Sequence, residues 1–161
     1  MAGLTQREVL KAFDASARVL ALGAGATTLT SKVHSNRPLL LNSAGASITY
    51  ILPNAVGTGD FFHFIVGVVN TSNYIVEVVS AADTIEGVIV NVDTDDVANT
   101  ATGFASVVGA SDRLTFNGTT QGMARIGDWI ELTDIGVAQW VVTGILTGSG
   151  GIASAFSEGV S

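Results

Sequence analysis

Cysteine is absent from this 161-residue chain. That one absence removes disulfides, thiolate metal sites and cysteine nucleophiles together, and it leaves the redox compartment open. Charge is also scarce. Asp, Glu, Lys and Arg make up 13% of the residues, about half the share usual in a soluble domain. The basic side chains number 7 against 14 acidic ones, for a formal net charge of −7, and they are scattered. Nucleic-acid binding needs a positive stripe to displace counterions from phosphates, so that class is excluded. No apolar run approaches the ~20 residues that span a bilayer, and Met1-Ala2-Gly3-Leu4 opens no basic leader. The expectation is a chain that neither crosses a membrane nor carries a standard export signal. Gly23-Ala24-Gly25 and Gly148-Ser149-Gly150-Gly151 lack the Lys-Ser/Thr of a phosphate loop, and no Gly-x-Ser-x-Gly elbow occurs.

What the chain has instead is glycine, at 19 residues, and a hydrophobic fraction of 47%. From residue 26 onward the apolar period is two, the period of strands. Two runs stand out. Asp60-Phe61-Phe62-His63-Phe64-Ile65-Val66-Gly67-Val68-Val69 is apolar on both alternating faces, and Asn73-Tyr74-Ile75-Val76-Glu77-Val78-Val79 follows after the polar turn Asn70-Thr71-Ser72. Strands are expected over residues 26–33, 38–42, 47–52, 60–70, 73–80, 85–92, 102–108, 112–117, 126–133 and 138–145. Turn residues punctuate them, as in Ser43-Ala44-Gly45, Gly57-Thr58-Gly59 and Asn117-Gly118. About ten short strands without crossover helices predict an all-β fold, an antiparallel β-sandwich or barrel.

The ends differ from this middle. Thr5-Gln6-Arg7-Glu8 matches a capping box, with Leu4 and Val9 placed as a hydrophobic staple. Leu10, Phe13 and Ala17 follow at helical spacing, so a helix is expected over residues 6–18. A helix this short is marginal alone in water and must dock on something. The domain reading is therefore a helical arm over 1–25, a β domain over 26–146 and a flexible Gly/Ser-rich arm over 147–161, with Phe156 as its apolar anchor.

Candidate chemistry is thin. Asp93-Thr94-Asp95-Asp96 offers hard oxygens of the kind calcium takes, but Val97 and the lack of a following Gly break the EF-hand pattern. A solvated acidic turn is the alternative. His34 and His63 are the only histidines, and no serine and carboxylate are visibly arranged around either. Trp129, beside Asp128 and Glu131, and Trp140 read either as core or interface anchors or as a sugar-stacking platform. The two carboxylates also resemble a glycosidase pair in type, though sequence sets no separation between them. No catalytic, cofactor-binding or metal-ligating residue is assigned, and the chain is not expected to be an enzyme.

Several phrases together resemble small structural proteins of tailed-bacteriophage virions. They are Leu29-Thr30-Ser31-Lys32-Val33-His34-Ser35 through Leu39-Leu40-Leu41-Asn42, and Ile51-Leu52-Pro53-Asn54-Ala55-Val56-Gly57-Thr58-Gly59-Asp60. Ala82-Asp83-Thr84-Ile85-Glu86-Gly87, Leu114-Thr115-Phe116-Asn117-Gly118-Thr119-Thr120-Gln121-Gly122, Gly127-Asp128-Trp129-Ile130-Glu131-Leu132 and Trp140-Val141-Val142-Thr143-Gly144 complete the likeness. The resemblance covers roughly residues 29–156 and is one of strand rhythm and turn phrases. It implies a β-sandwich of jelly-roll type, a homotrimer, and a place on the capsid exterior as a decoration (cement) protein bound to the major capsid protein. A glycan-binding tail or fibre module is the alternative. Under the cement reading, Val9, Leu10, Phe13 and Phe156 are the candidate capsid contacts, and Phe62, Phe64, Val66 and Val68 the candidate oligomer seam. Neither nucleic acid nor a membrane is an expected partner.

Overall fold

A computed structural model describes residues 18–160. The expected helix over 6–18, its capping box and the candidate contacts Val9, Leu10 and Phe13 lie outside the described residues, Arg18 apart. The described chain is nearly all β and forms two mixed sheets. The larger runs in the order β1 (Leu20–Leu22), β3 (Pro38–Leu41), β5 (Phe61–Val66), β10 (Trp129–Gly136), β11 (Gln139–Gly148), β7 (Thr84–Asp93) and β8 (Ala101–Ala105). The smaller runs β12 (Phe156–Ser157), β9 (Arg113–Phe116), β6 (Tyr74–Glu77), β4 (Ile48–Ile51) and β2 (Thr27–Thr28).

The expected antiparallel arrangement is corrected to a mixed one. Parallel neighbours occur at β1–β3, β3–β5, β2–β4, β4–β6 and β7–β11. Parallel strands need a crossover connection, usually a helix. Here a strand of the opposite sheet does that job. The chain alternates between sheets from β1 to β7, so each return to a sheet lands parallel to the previous visit. A jelly roll, built of antiparallel Greek keys, contains no such coil.

Alternation along each strand decides what is buried. In β5, Phe62, Phe64 and Val66 are fully buried while Phe61, His63 and Ile65 face outward. The inward residues of both sheets form one core cluster. Tyr50 of β4 meets Phe64 of β5 with ring centroids 6.0 Å apart, and Trp140 of β11 sits edge-on to Phe62 at 5.6 Å. The seam expectation accordingly fails for Phe62, Phe64 and Val66, because their surface is spent on the chain's own core. Val68 lies beyond the strand and is half-buried.

Where the two apolar runs meet, the chain does not fold back as a hairpin but crosses from one sheet to the other. The Gly67 and Val68 amides both donate to the Leu41 carbonyl, ending β5. Across the crossing the Tyr74 hydroxyl lies 2.6 Å from the Ser43 carbonyl and 2.8 Å from that of Val68, and accepts from the Ser43 amide. The strand expected over 26–33 is likewise cut short. After β2 the chain makes a single helical turn, α1 (Ser31–His34), whose start is held by the His34 ring Nδ1 accepting from the Thr30 amide at 3.0 Å. His34 is thus occupied in capping its own turn.

The two expected arms are also more integrated than their composition implies. Leu20–Leu22 is already the edge strand of the larger sheet. At the other end, Phe156 pairs opposite Leu114 and packs against the core, and the Gly159 and Val160 amides donate to the Asp112 carboxylate. Phe156 therefore offers little free surface to a capsid.

On the outer side of the smaller sheet, Glu77 and Arg113 stand directly opposite in register and are joined at 2.7 and 2.8 Å. Both remain partly exposed, so water competes for them. Glu77→Gln is expected to cost about 0.5 kcal/mol in a denaturant titration.

Candidate functional site

The outward face of the larger sheet carries a cluster of sequence-predicted residues that the fold brings together. Antiparallel pairing sets His63 of β5 opposite Glu131 of β10, and Ile65 opposite Trp129. Both strands present their odd-numbered residues outward, so His63, Trp129 and Glu131 share one surface. The His63 Nδ1 lies 3.2 Å from the Glu131 carboxylate. The imidazole also stacks on the Trp129 indole, with centroids 5.3 Å apart and planes inclined by 26°. Their side chains are 24% and 33% exposed for His63 and Glu131, so the cluster is open to solvent yet laid flat against the sheet.

What this arrangement does chemically is hold an indole rigidly at a surface. His63, held against the Glu131 carboxylate, stacks on Trp129 from one side, producing an apolar platform with an acidic edge. A hydrolytic pair is not assembled. Asp128 faces the opposite way from Glu131, and its carboxylate accepts from the Thr147 amide at 2.9 Å, the Thr147 hydroxyl at 2.8 Å and the Arg125 amide at 3.3 Å. Burial pushes the Asp128 carboxyl above the usual range, and those hydrogen bonds offset it only in part. Trp140, the other expected platform, is in the core. The two tryptophans therefore sit on opposite faces of the sheet.

The acidic run is a solvated loop after β7. Asp95 accepts from the Gly150 amide at 2.9 Å, and Asp96 accepts from the Thr100 hydroxyl and the Ala98 amide. A hydrogen bond shared between the Asp93 and Asp95 carboxyls holds Asp93 above the ordinary range and Asp95 below it. Among the described residues, no group of three or more His, Cys, Asp or Glu side chains is placed to hold a metal ion.

Sequence reasoning missed a different set of carboxylates. Asp83, Asp112 and Asp134 are all buried, and each accepts one or more backbone amides from a segment distant in sequence. Asp83 takes the Ala55 amide at 2.9 Å. Asp134 takes those of Val56, Gly57 and Thr58, together with the Thr58 hydroxyl. The available signal was an aspartate at the margin of an apolar strand, facing a Gly-rich loop elsewhere in the chain. These groups staple loops to sheets and draw acidic charge out of an already sparse surface.

An open depression of about 490 Å³ lies at the crossing turn, lined by Asn70, Thr71, Asn117 and Gly118 among others. Asn70 there is fully engaged, donating to Ala46 and accepting from Ser72. Among the described residues, no helix is long and apolar enough to cross a membrane. The chain matches no protein-family model, and neither a curated protein nor a solved structure shows significant similarity to it.

Proposed function

We propose that this chain is a virion structural protein of the capsid-decoration type, seated on the exterior of a tailed-phage head against the major capsid protein. The observation that carries the reading is the broad outer face of the larger sheet, apolar over most of its width, on a chain with few charges to keep such a face solvated. A protein of this kind works by adding contacts where shell subunits meet, contacts that must break before internal DNA pressure opens the head. A trimer with three modest footholds gains effective concentration once the first has engaged, so strong attachment needs no single tight site.

Within this reading we retain a two-sheet sandwich and drop the jelly-roll detail. The oligomer seam moves to the outer face of the larger sheet, where Val88 of β7 and Ile145 of β11 stand half exposed and Phe61 and Ile65 of β5 are partly so. Val9, Leu10 and Phe13 remain the leading capsid contacts. The test is attachment. Purified chain should bind saturably to expanded heads lacking it, ignore immature shells, and raise the temperature at which the heads release DNA. Heads that show neither binding nor a shifted release temperature would sink the proposal.

One observation favours a second reading. Trp129, held flat by His63 and flanked by Glu131, has the form of a sugar-stacking platform. Quenching of its fluorescence by oligosaccharides, abolished in Trp129→Ala, would shift the assignment to a glycan-binding fibre or tail module.

A further inference from the structure

Among the described residues the two sheets end in four edge strands. β1 offers three residues, β2 and β12 two each, and β8 five. Very short edges give another strand little to grip, which is one way proteins keep sheets from joining. β8 is long enough to accept a partner, and the usual guards are missing from it. From Val97 to Ser111 the chain carries neither a charged side chain nor a proline.

The β7–β8 register shows which backbone groups stay free. The Ser106 amide donates to the Gly87 carbonyl at 3.0 Å at one end of the pairing, and the Asp93 amide to the Thr100 carbonyl at 2.8 Å at the other. Antiparallel bonding alternates along a strand, so the even-numbered residues of β8 bond inward to β7. Ala101, Gly103 and Ala105 turn their amides and carbonyls to the open edge, and among the described residues nothing meets them. Their side chains are small and exposed. Phe104, on the opposite face, is only half-buried, and Val97, Val107 and Val108 beyond the strand ends are exposed.

We propose that β8 pairs antiparallel with β8 of a second copy of this chain, about a twofold axis at Gly103, joining the two larger sheets edge to edge. Self-complementarity favours this occupant. About that axis Gly103 faces Gly103 of the second copy and Ala101 faces its Ala105, so every residue with free backbone groups meets another, each pair exchanging both bonds. Phe104 then lies diagonal to its own copy, at the ~7–8 Å that aromatic rings can bridge. At each end Val97 of one copy comes to the side where Val107 and Val108 of the other emerge. Charge sets the direction. Each copy carries a net −7, and Asp93, Asp95 and Asp96 lie just before β8. Antiparallel pairing holds the two acidic loops at opposite ends, whereas parallel pairing would set them side by side. The contact uses the sheet's edge, leaves its outer face free and does not rest on the capsid reading.

Sedimentation of the full-length chain should give the mass of an even number of copies. Ala101→Lys combined with Ala105→Lys places like charges directly opposite each other twice, and should weaken pairing about tenfold. Both side chains are exposed, so the far-ultraviolet β signal should be retained. Ala101→Lys combined with Ala105→Glu places opposite charges across the same two pairs, and should associate at least as tightly as the unaltered chain. Amide exchange at Ala101, Gly103 and Ala105 should slow as protein concentration rises. A monomer at every concentration, a particle of three copies, or equal behaviour of the two double variants overturns the proposal. Protection of those three amides in a monomer overturns it too, and shows that the chain covers this edge itself.

Discussion

Asp134→Ala should lower the unfolding free energy by about 3 kcal/mol, read as a shifted midpoint with an unchanged slope in a urea titration. The reason is the density of donors on one carboxylate. The Gly57 amide reaches it at 2.6 Å, the Thr58 amide at 3.0 Å, the Val56 amide at 3.1 Å, and the Thr58 hydroxyl at 2.9 Å. Three successive amides converging on an anion make a nest. Without the carboxylate, the 56–58 loop loses its anchor to β10, and water replaces the bonds only in part because Asp134 itself is 2% exposed. Asp134→Asn should fall between wild type and Asp134→Ala, since it keeps an accepting oxygen but turns an NH2 group toward donors. Asp96→Ala, in the solvent-exposed loop, should leave the midpoint where it is.

The same site sets the direction of a pH effect. Burial pushes the Asp134 carboxyl up, but the Thr58, Gly57 and Val56 amides and the Thr58 hydroxyl together hold it below its ordinary value of 3.8. A depressed carboxyl contributes stability above that ordinary value, and the contribution fades as pH falls through the folded-state value. Asp128 acts in the opposite sense. Burial holds it above 3.8, so its contribution is complete below 3.8 and fades as pH rises through the folded-state value. Acid unfolding should therefore become shallower in Asp134→Asn. In Asp128→Asn the loss of stability on raising the pH just above 3.8 should disappear.

Both effects come from residues whose importance a local reading does not reveal, and the fold explains why. Alternation sets Phe62, Phe64 and Val66 together on one face of β5, and the structure keeps them on one face. Alternation says nothing about which sheet a strand joins. β5 and β6 look like neighbours, with three polar residues between them, yet the Gly67–Leu41 bond and the Tyr74 hydroxyl turn that link into a crossing between sheets. The seam residues were misplaced for a related reason: β5 is apolar on both faces, so composition could not say which face the core would take. At the candidate site, His63 and Glu131 lie 68 positions apart and meet only through the β5–β10 register. Long-range register depends on all the intervening turns together. Leu20–Leu22 was absorbed into the N-terminal arm because three apolar-rich residues are too few to display a period.

Gly87→Ala is expected to be as damaging as the loss of Asp134, by about 3 kcal/mol, through strain rather than a missing bond. Gly87 sits in β7 opposite Val142 of β11, with φ at +136°, a conformation L side chains rarely adopt. A Cβ there would overlap the Val142 carbonyl oxygen, which is backbone and cannot swing aside. The position is pinned from the other side as well. The Gly87 amide donates to the Ser106 hydroxyl at 3.1 Å, and its carbonyl accepts from the Ser106 amide at 3.0 Å. Relieving the clash would therefore open the β7–β11 register or detach the turn after β8, and either should show as a lower melting temperature and faster amide exchange along β7. Gly103→Ala supplies the contrast within the same sheet. Its added methyl would meet only a Val88 side-chain carbon at 3.6 Å, an ordinary contact, and its φ is not in the left-handed region. That substitution should be neutral or raise stability by about 0.5 kcal/mol, by restricting the unfolded chain. Equal losses at the two glycines would show that entropy in the strand, and not the close approach of Val142, is what glycine supplies at position 87.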